Sequence, residues 1–488
     1  MDMKLKTCLL AATMTAAATA SASEWTGNES TDWFDPLNWT SGVPTAGSNS
    51  VRINTAAEHP TEINGQSAAT GSGFGVGHSG AGVLFITNGA TLNSVSANLG
   101  SQVAGHGSVI ISGAGSSWQV ASGNFDIGQS GSGQLDVLAG GVLQTLGSLS
   151  HIGQQASGSG SVTVSGAGSR WEHDNRFWLG VSGFGQMTIS DGGEVVVSGT
   201  TSTVAQASSG SGELLITGAG SKLSLSTRLH IGNSGSGLMQ VANGGRLEVT
   251  GTAAPGNHRL VIGANSGSQG TVIVGALPGQ MPGVPGQMLL DDGLLFQNGT
   301  GTLVFNHNDQ LEQMFAVLGP DTGSGHIHAE NGTTLFVGEA FDYSGSLTIN
   351  AGASFGAAGT LGDVVNAGRL VASPGRSATL VIDGDYSHGD KAVLEIQFGP
   401  GPVVDLVQVN GEAALSGGSV SFTMLPGDYG SQPLDGLYPI LMAGAGLTGA
   451  FDGIDASNPN TFELVHDGNT VYVQVNDRLF VDRYEPGD

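Results

Sequence analysis

Cysteine is almost missing from this 488-residue chain: Cys8 is the one example, and it lies near the start. Cations are scarce too. Fourteen Lys and Arg stand against 40 Asp and Glu, a formal charge of −26, and beyond residue 6 the lysines are Lys222 and Lys391. Phosphate backbones and anionic lipid surfaces are held by cationic side chains, so neither nucleic acid nor such a surface is an expected partner. Charged residues make up 11% of the chain, where about 25% is usual, which excludes a coiled coil with its charged heptads. Aromatics are 6%. No run of 18 apolar residues occurs, so no transmembrane helix is expected. Glycine is what the chain has in excess, 83 residues in all, without the three-residue period of collagen. Val, Leu and Ile recur in alternating patterns, which argues against disorder.

Residues 1–22 read as a secretory leader. Lys4 and Lys6 open it, Leu9 to Ala20 form a short apolar stretch, and Ala18/Ala20 or Ala20/Ala22 supply small-residue cleavage sites. Leu5-Lys6-Thr7 before Cys8 is not a lipobox, so no lipid anchor is expected. Past the leader the chain holds no thiol, as suits a protein threaded unfolded across membranes, where a premature disulfide would jam.

The chain then repeats. Gly89-Ala90-Thr91-Leu92, Gly140-Gly141-Val142-Leu143, Gly192-Gly193-Glu194-Val195 and Gly244-Gly245-Arg246-Leu247 follow one another at steps of 51, 52 and 52 residues. A variant lies between them: Gly115-Ser116-Ser117-Trp118, Gly168-Ser169-Arg170-Trp171 and Gly220-Ser221-Lys222-Leu223. A unit near 52 residues therefore divides into halves of about 26. A hydrophobic-Gly pair marks each half, at Val76-Gly77, Leu99-Gly100, Ile127-Gly128, Ile152-Gly153, Leu179-Gly180, Ile231-Gly232 and Ile262-Gly263, with Val204-Ala205 in the same place. The pattern predicts an all-β fold, a right-handed single-stranded parallel β-helix with one half-unit per coil. Coils would stack about 4.8 Å apart, and a Gly turn would recur at one place on each. A β-propeller is the competing repeat architecture, but its blades would not divide into two similar halves. Leu92, Trp118, Leu143, Trp171, Val195, Leu223 and Leu247 should form one inner column. The preceding residues, Thr91, Ser117, Val142, Arg170, Glu194, Lys222 and Arg246, should face solvent, with Arg170, Glu194 and Lys222 alternating in sign on neighbouring coils.

Around these repeats, residues 23–70 are expected to be an N-terminal cap, 71–275 the regular coils, 276–290 a Pro/Gly-rich loop or hinge, 291–395 irregular coils, 396–475 a C-terminal cap and 476–488 a tail. Trp25, Trp33, Phe34 and Trp39 suit either a carbohydrate-stacking platform or a cover over the first coil's open edge, and the cover is the expectation.

Gly-Ala-Gly-Ser-x-Trp and Ile-Gly-x-Ser-Gly-Ser-Gly resemble the repeats of autotransporter-type (type V secretion) and PEP-CTERM-associated bacterial surface proteins. An ordered series follows: Thr302-Leu303-Val304-Phe305-Asn306, Tyr343 to Gly352, Gly359-Thr360-Leu361-Gly362, Asn366-Ala367-Gly368-Arg369-Leu370, Pro374-Gly375-Arg376-Ser377, Leu380 to Tyr386, Asp405 to Gly411 and Leu447-Thr448-Gly449-Ala450-Phe451. This series is similar to the distal part of autotransporter passengers. The resemblance covers roughly residues 71–475 and implies that the distal part closes the β-helix and aids folding after export. The family's membrane barrel does not fit in the 13 residues after Val475 (488−475), and no PEP-CTERM anchor is seen. A separate anchoring or secretion protein is therefore an expected partner. Asp477 to Glu485 faintly resembles the Ile-Phe-x-Asp-Gly-Phe-Glu tail of some secreted proteins.

Two local clusters invite chemistry. Glu172-His173-Asp174-Asn175-Arg176 would place Glu172, Asp174 and Arg176 on one side of an extended strand, yet the aligned coils add no carboxylate, so a solvated polar turn is expected. His326 and His328 have the i, i+2 spacing of strand metal ligands, but two histidines do not make a site, and an ordinary exposed strand is expected. No catalytic, cofactor-binding or metal residue is assigned. The expected function is that of an exported structural or adhesive module at the cell surface or outside the cell. Its ligand would be a glycan, matrix polymer or cell-surface molecule. A polysaccharide lyase or hydrolase on the same scaffold is the alternative, and would require two carboxylates and a base converging from adjacent coils.

Overall fold

The computed structural model describes residues 22–475, apart from 56–58, 148, 252–255, 258, 339, 401–402, 428–435 and 456–461. The expected leader and tail lie outside the described residues. What is described is a parallel β-solenoid of about 16 turns.

A regular coil carries three strands. Phe74–Val76 gives a short face, Ala81–Thr87 a long face and Thr91–Ser94 a third face. The next coil repeats them as Ala97–Leu99, His106–Ser112 and Ser117–Val120, each paired in parallel with its predecessor. Alternation drives this arrangement. In Ala81–Thr87 every second residue is buried, so Gly82, Leu84 and Ile86 point to the lumen and their neighbours outward.

The turn between short and long faces explains the hydrophobic-Gly marker. Gly180 has φ 70°, and a Cβ there would overlap the Ser211 carbonyl oxygen of the next coil. Glycine meets both demands, positive φ and close approach. Ala205, in the same position, adopts φ 60° despite its side chain.

The inner column forms as expected. Leu92, Trp118, Leu143, Trp171, Val195, Leu223 and Leu247 stand in register on the third face and are at most 1% exposed. Ala68 and Met288 extend it at either end. A full side-chain burial of this kind contributes about 1.5–3 kcal/mol. The neighbouring inner column runs Ser94, Val120, Thr145, His173, Val197, Leu225 and Val249. Its two hydroxyls have a specific use. Trp118 Nε1–H donates to Ser94 Oγ at 2.9 Å, and Trp171 Nε1–H to Thr145 Oγ1 at 3.0 Å. Each inward hydroxyl therefore lies one coil before a tryptophan. Where the next coil carries Leu143, Leu223 or Leu247, the corresponding residue is Val120, Val197 or Leu225.

The outward charges alternate as expected. Glu194 lies 2.9 Å from Arg170 and 2.8 Å from Lys222, while Glu172 and Glu248 join the network at 2.8 Å from Arg170 and 2.7 Å from Arg246. These partly exposed pairs contribute roughly 0.2–1 kcal/mol each and fix register more than stability.

Stacking begins before residue 71. Val51–Ile53, Thr61–Asn64 and Ser67–Ala69 already form a coil beneath Phe74–Val76, Ala81–Thr87 and Thr91–Ser94. Trp25, Trp33 and Trp39 are buried to 2%, 0% and 4% exposure, so they cannot stack on a ligand. They pack edge to face with centroids 5.1 and 4.7 Å apart, and Trp33 continues the packing onto Phe74 in the lumen. The segment 276–290 is not loop throughout, because Gln287–Leu290 rejoins the third face by pairing with Arg246–Val249. Beyond it two long strands, Thr300–Gln313 and Ser324–Phe336, wrap the corner between long and third faces through a register shift. At the distal end Phe462–Asp467 and Thr470–Val475 form an antiparallel hairpin that pairs with Gly436–Ala443.

Candidate functional site

The short-face strands have three or four residues, and those flanking the central position point into the lumen. The residue between them points away. From coil to coil this outward position holds Asn98, Asp126, His151, Trp178, Thr203 and His230, all in register. Six coils at about 4.8 Å give a row roughly 24 Å long. An outward row on a sheet face is ordinarily solvent-exposed, but here Asp126, His151 and Thr203 are 4%, 5% and 5% exposed. Neighbouring side chains cover these three, while Asn98, Trp178 and His230 are half-buried, so the row is a partly covered strip.

The next turn adds to this strip. Three residues after the outward position comes a second polar side chain that bonds back to it. Thr203 Oγ1–H donates to Gln206 Oε1 at 2.7 Å, and His230 Nδ1 lies 3.0 Å from Asn233 Oδ1. Gln129 Nε2–H donates to Asp126 Oδ2 at 3.4 Å, and the Gln154 amide lies 3.0 Å from His151 Nδ1. Between coils, His151 Nδ1–H donates to Asp126 Oδ1 at 2.6 Å. The half-buried Trp178 indole follows, 5.4 Å from the His151 ring, with the Arg176 guanidinium 5.1 Å over it. Burial holds His230 below the ordinary histidine pKa, and the nearby Arg228 cation adds to the effect. Two atoms of the strip, Gln154 Oε1 and His230 Nε2, have no hydrogen-bond partner within the protein.

Chemically this is a strip of hydroxyl-binding groups around one aromatic plate. It holds one carboxylate, Asp126, and two imidazoles, and that carboxylate already holds His151. The two carboxylates and a base that polysaccharide cleavage would require do not converge here.

The clusters singled out in the sequence are dispersed by the fold. Glu172 faces outward on the third face, bound to Arg170 and Gln144. His173 points into the lumen, stacked 5.5 Å from Trp171, and burial lowers its pKa to about 4. Asp174 caps a turn by accepting from the Gly147 N–H. Arg176 has moved round to the short face, so Glu172, Asp174 and Arg176 do not share one side. The turn is structural, with Arg176 as its contribution to the strip. His326 and His328 are half-buried rather than exposed, with ring centroids 6.5 Å apart, and His326 Nδ1 lies 2.8 Å from Ser346 Oγ. Among the described residues no group of three or more His, Cys, Asp or Glu is placed to hold a metal ion. No described helix is long and apolar enough to cross a membrane.

No family model matches the chain. It is 28% identical over 383 residues, 70% of its length, to an adhesin, the BmaC autotransporter of Brucella suis, of which that match covers 10%. Two Escherichia coli proteins are also 28% identical: the uncharacterized protein YuaQ over 46% of this chain and 15% of that protein, and the uncharacterized lipoprotein YdeK over 43% and 16%. The chain thus spans between a tenth and a sixth of the length of these relatives.

Proposed function

We propose that the chain is an exported, passenger-like adhesive module of a bacterial surface that binds an extended glycan along the short-face strip without cleaving it. The observation that supports this reading is the row of polar pairs along the short face. Consecutive coils each offer a polar pair at the same height, Asp126/Gln129, His151/Gln154, Thr203/Gln206 and His230/Asn233, with Trp178 and Arg176 midway. A ligand lying parallel to the solenoid axis would meet a repeat of its own kind, hydroxyl after hydroxyl, and one ring face for stacking. The similarity to an autotransporter adhesin supports the same direction.

The test is a glycan-array screen of the purified chain, followed by calorimetry on the best polysaccharide and a reducing-sugar release assay. Binding without release, weakened at least tenfold by Trp178→Ala, is expected. Release of reducing ends would replace adhesion by catalysis. Undiminished binding in Trp178→Ala would move the site elsewhere.

A further inference from the structure

The third-face ladder is interrupted at one step. The nine-stranded third-face ladder ends at Gln287–Leu290, which pairs on one side with Arg246–Val249 and on the other with nothing among the described residues. The next coil reaches this face with residues 310–313, which pair onward with 333–336 but not back to 287–290. Between the two strands lies a cleft of about 510 Å³, lined by Gln287, Met288, Leu289, Gln310, Leu311 and Glu312 among others.

Hydrogen-bond parity shows which groups face the gap. Gln287 and Asp291 N–H donate to Gly245 and Val249 carbonyls of the preceding coil, so the peptide groups of Met288 and Leu290 turn the other way. On the upper lip Gln313 C=O accepts from Val337 N–H, so Gln310 and Glu312 turn toward the cleft. The Gln310 N–H is already held by Asp309 Oδ1 at 2.8 Å, and the Leu290 C=O accepts from Gly293 N–H at 3.4 Å. The cleft is therefore bounded by two parallel strand edges, open at Met288 and Glu312. Its inner side is apolar, with Met288, Leu290 and Leu311 4–8% exposed, against essentially zero along the rest of the column. Its outer rim carries Asp309 and Glu312, neither of which has an ion-pair partner among the described residues, the 44%-exposed Leu289, and Arg246, whose charge Glu248 answers at 2.7 Å.

We infer that this cleft is a β-strand docking site for an extended peptide segment of a partner protein, one that alternates aliphatic and basic residues. Its backbone would complete the interrupted ladder by pairing with both lips. Its aliphatic side chains would point inward onto Met288, Leu290 and Leu311. Its Lys or Arg side chains would emerge beside Asp309 and Glu312, where charge complementarity selects them. Four to five residues suffice to span the lips. This site lies on a different face from the strip and does not depend on the glycan reading.

The probe is a fluorescein-labelled, end-capped hexapeptide of alternating Lys and Val, titrated with the full chain and followed by anisotropy. Saturable binding is expected, with at least tenfold weaker binding for the Glu/Val counterpart and for the Asp309→Asn/Glu312→Gln double variant. N-methylation of alternate peptide amides tests the ladder without touching the protein, and because alternate amides donate to opposite lips, methylation in either register should weaken binding at least tenfold. Absence of saturable binding overturns the proposal. So does undiminished binding of the N-methylated peptides, which would leave only charge attraction, and so does indifference to the double variant.

Discussion

The pairing of inward hydroxyls with tryptophans one coil later can be tested by a double-mutant cycle on Thr145 and Trp171. Thr145→Val is nearly isosteric, so little packing is lost, but it leaves the Trp171 N–H in a site of 0% exposure with no acceptor. An orphaned buried donor costs about 1–3 kcal/mol. Trp171→Phe removes the N–H and part of the ring, with a cost of its own from lost volume. Once the donor is gone, Thr145→Val should cost less than about 0.5 kcal/mol, since only a long 3.5 Å contact from its hydroxyl to the Glu172 carbonyl is lost. The coupling energy is therefore about 1–2 kcal/mol, well above the error of additivity for contacting residues. Urea unfolding of the four chains, followed by far-UV circular dichroism so that the tryptophan change does not affect the signal, gives all four stabilities. If Thr145→Val costs the same in both backgrounds, the hydroxyl is not there for the indole and the reasoning fails. Ser94→Ala with Trp118→Phe repeats the test two coils away.

Three further outcomes follow from the same geometry. His173 and His388 are buried, and burial lowers each pKa to about 4 from an ordinary 6.5. The folded state thus favours the neutral ring, and stability is complete above pH 6.5 and declines as pH falls toward 4. The loss is about 3 kcal/mol per histidine, and His173→Leu should remove its share in urea titrations at pH 7 and 4.5; an unchanged pH dependence would refute this. Gly180→Ala should destabilise by more than about 1 kcal/mol, whereas Ala205→Gly at φ 60° should be neutral or stabilising by up to about 1 kcal/mol, measured as midpoint shifts. Glu194→Gln breaks contacts to Arg170 and Lys222 and should cost under about 1 kcal/mol per pair, an effect that 1 M salt erases.

The coil, the inner column and the charge ladder were readable in the sequence because each repeats with a fixed period and alternation assigns its face. The strip was not, because its outward row changes chemical type at every coil, from Asn98 through Asp126, His151 and Trp178 to Thr203, and so shows no periodicity of residue type. A signal was nonetheless present. A polar residue sits one position before the aligned hydrophobic of the turn marker, and another two positions after it, as in Asp126/Gln129 and His151/Gln154. The cleft was hidden because Gln287–Leu290 lies inside a stretch whose Pro and Gly content reads as loop. The coil that precedes residue 71 is not legible in the sequence because Val51–Ile53 and Thr61–Asn64 lack the Gly-Ser turns of the later coils.

The reversed hairpin at the distal end governs what happens at high concentration. A stack of parallel strands has no inherent length, and its last edge invites the first coil of another copy. Because Thr470–Val475 runs against the direction of the coils, occupies the edge of Gly436–Ala443 and is itself covered by Phe462–Asp467, an incoming molecule cannot continue the parallel ladder directly from that last coil strand.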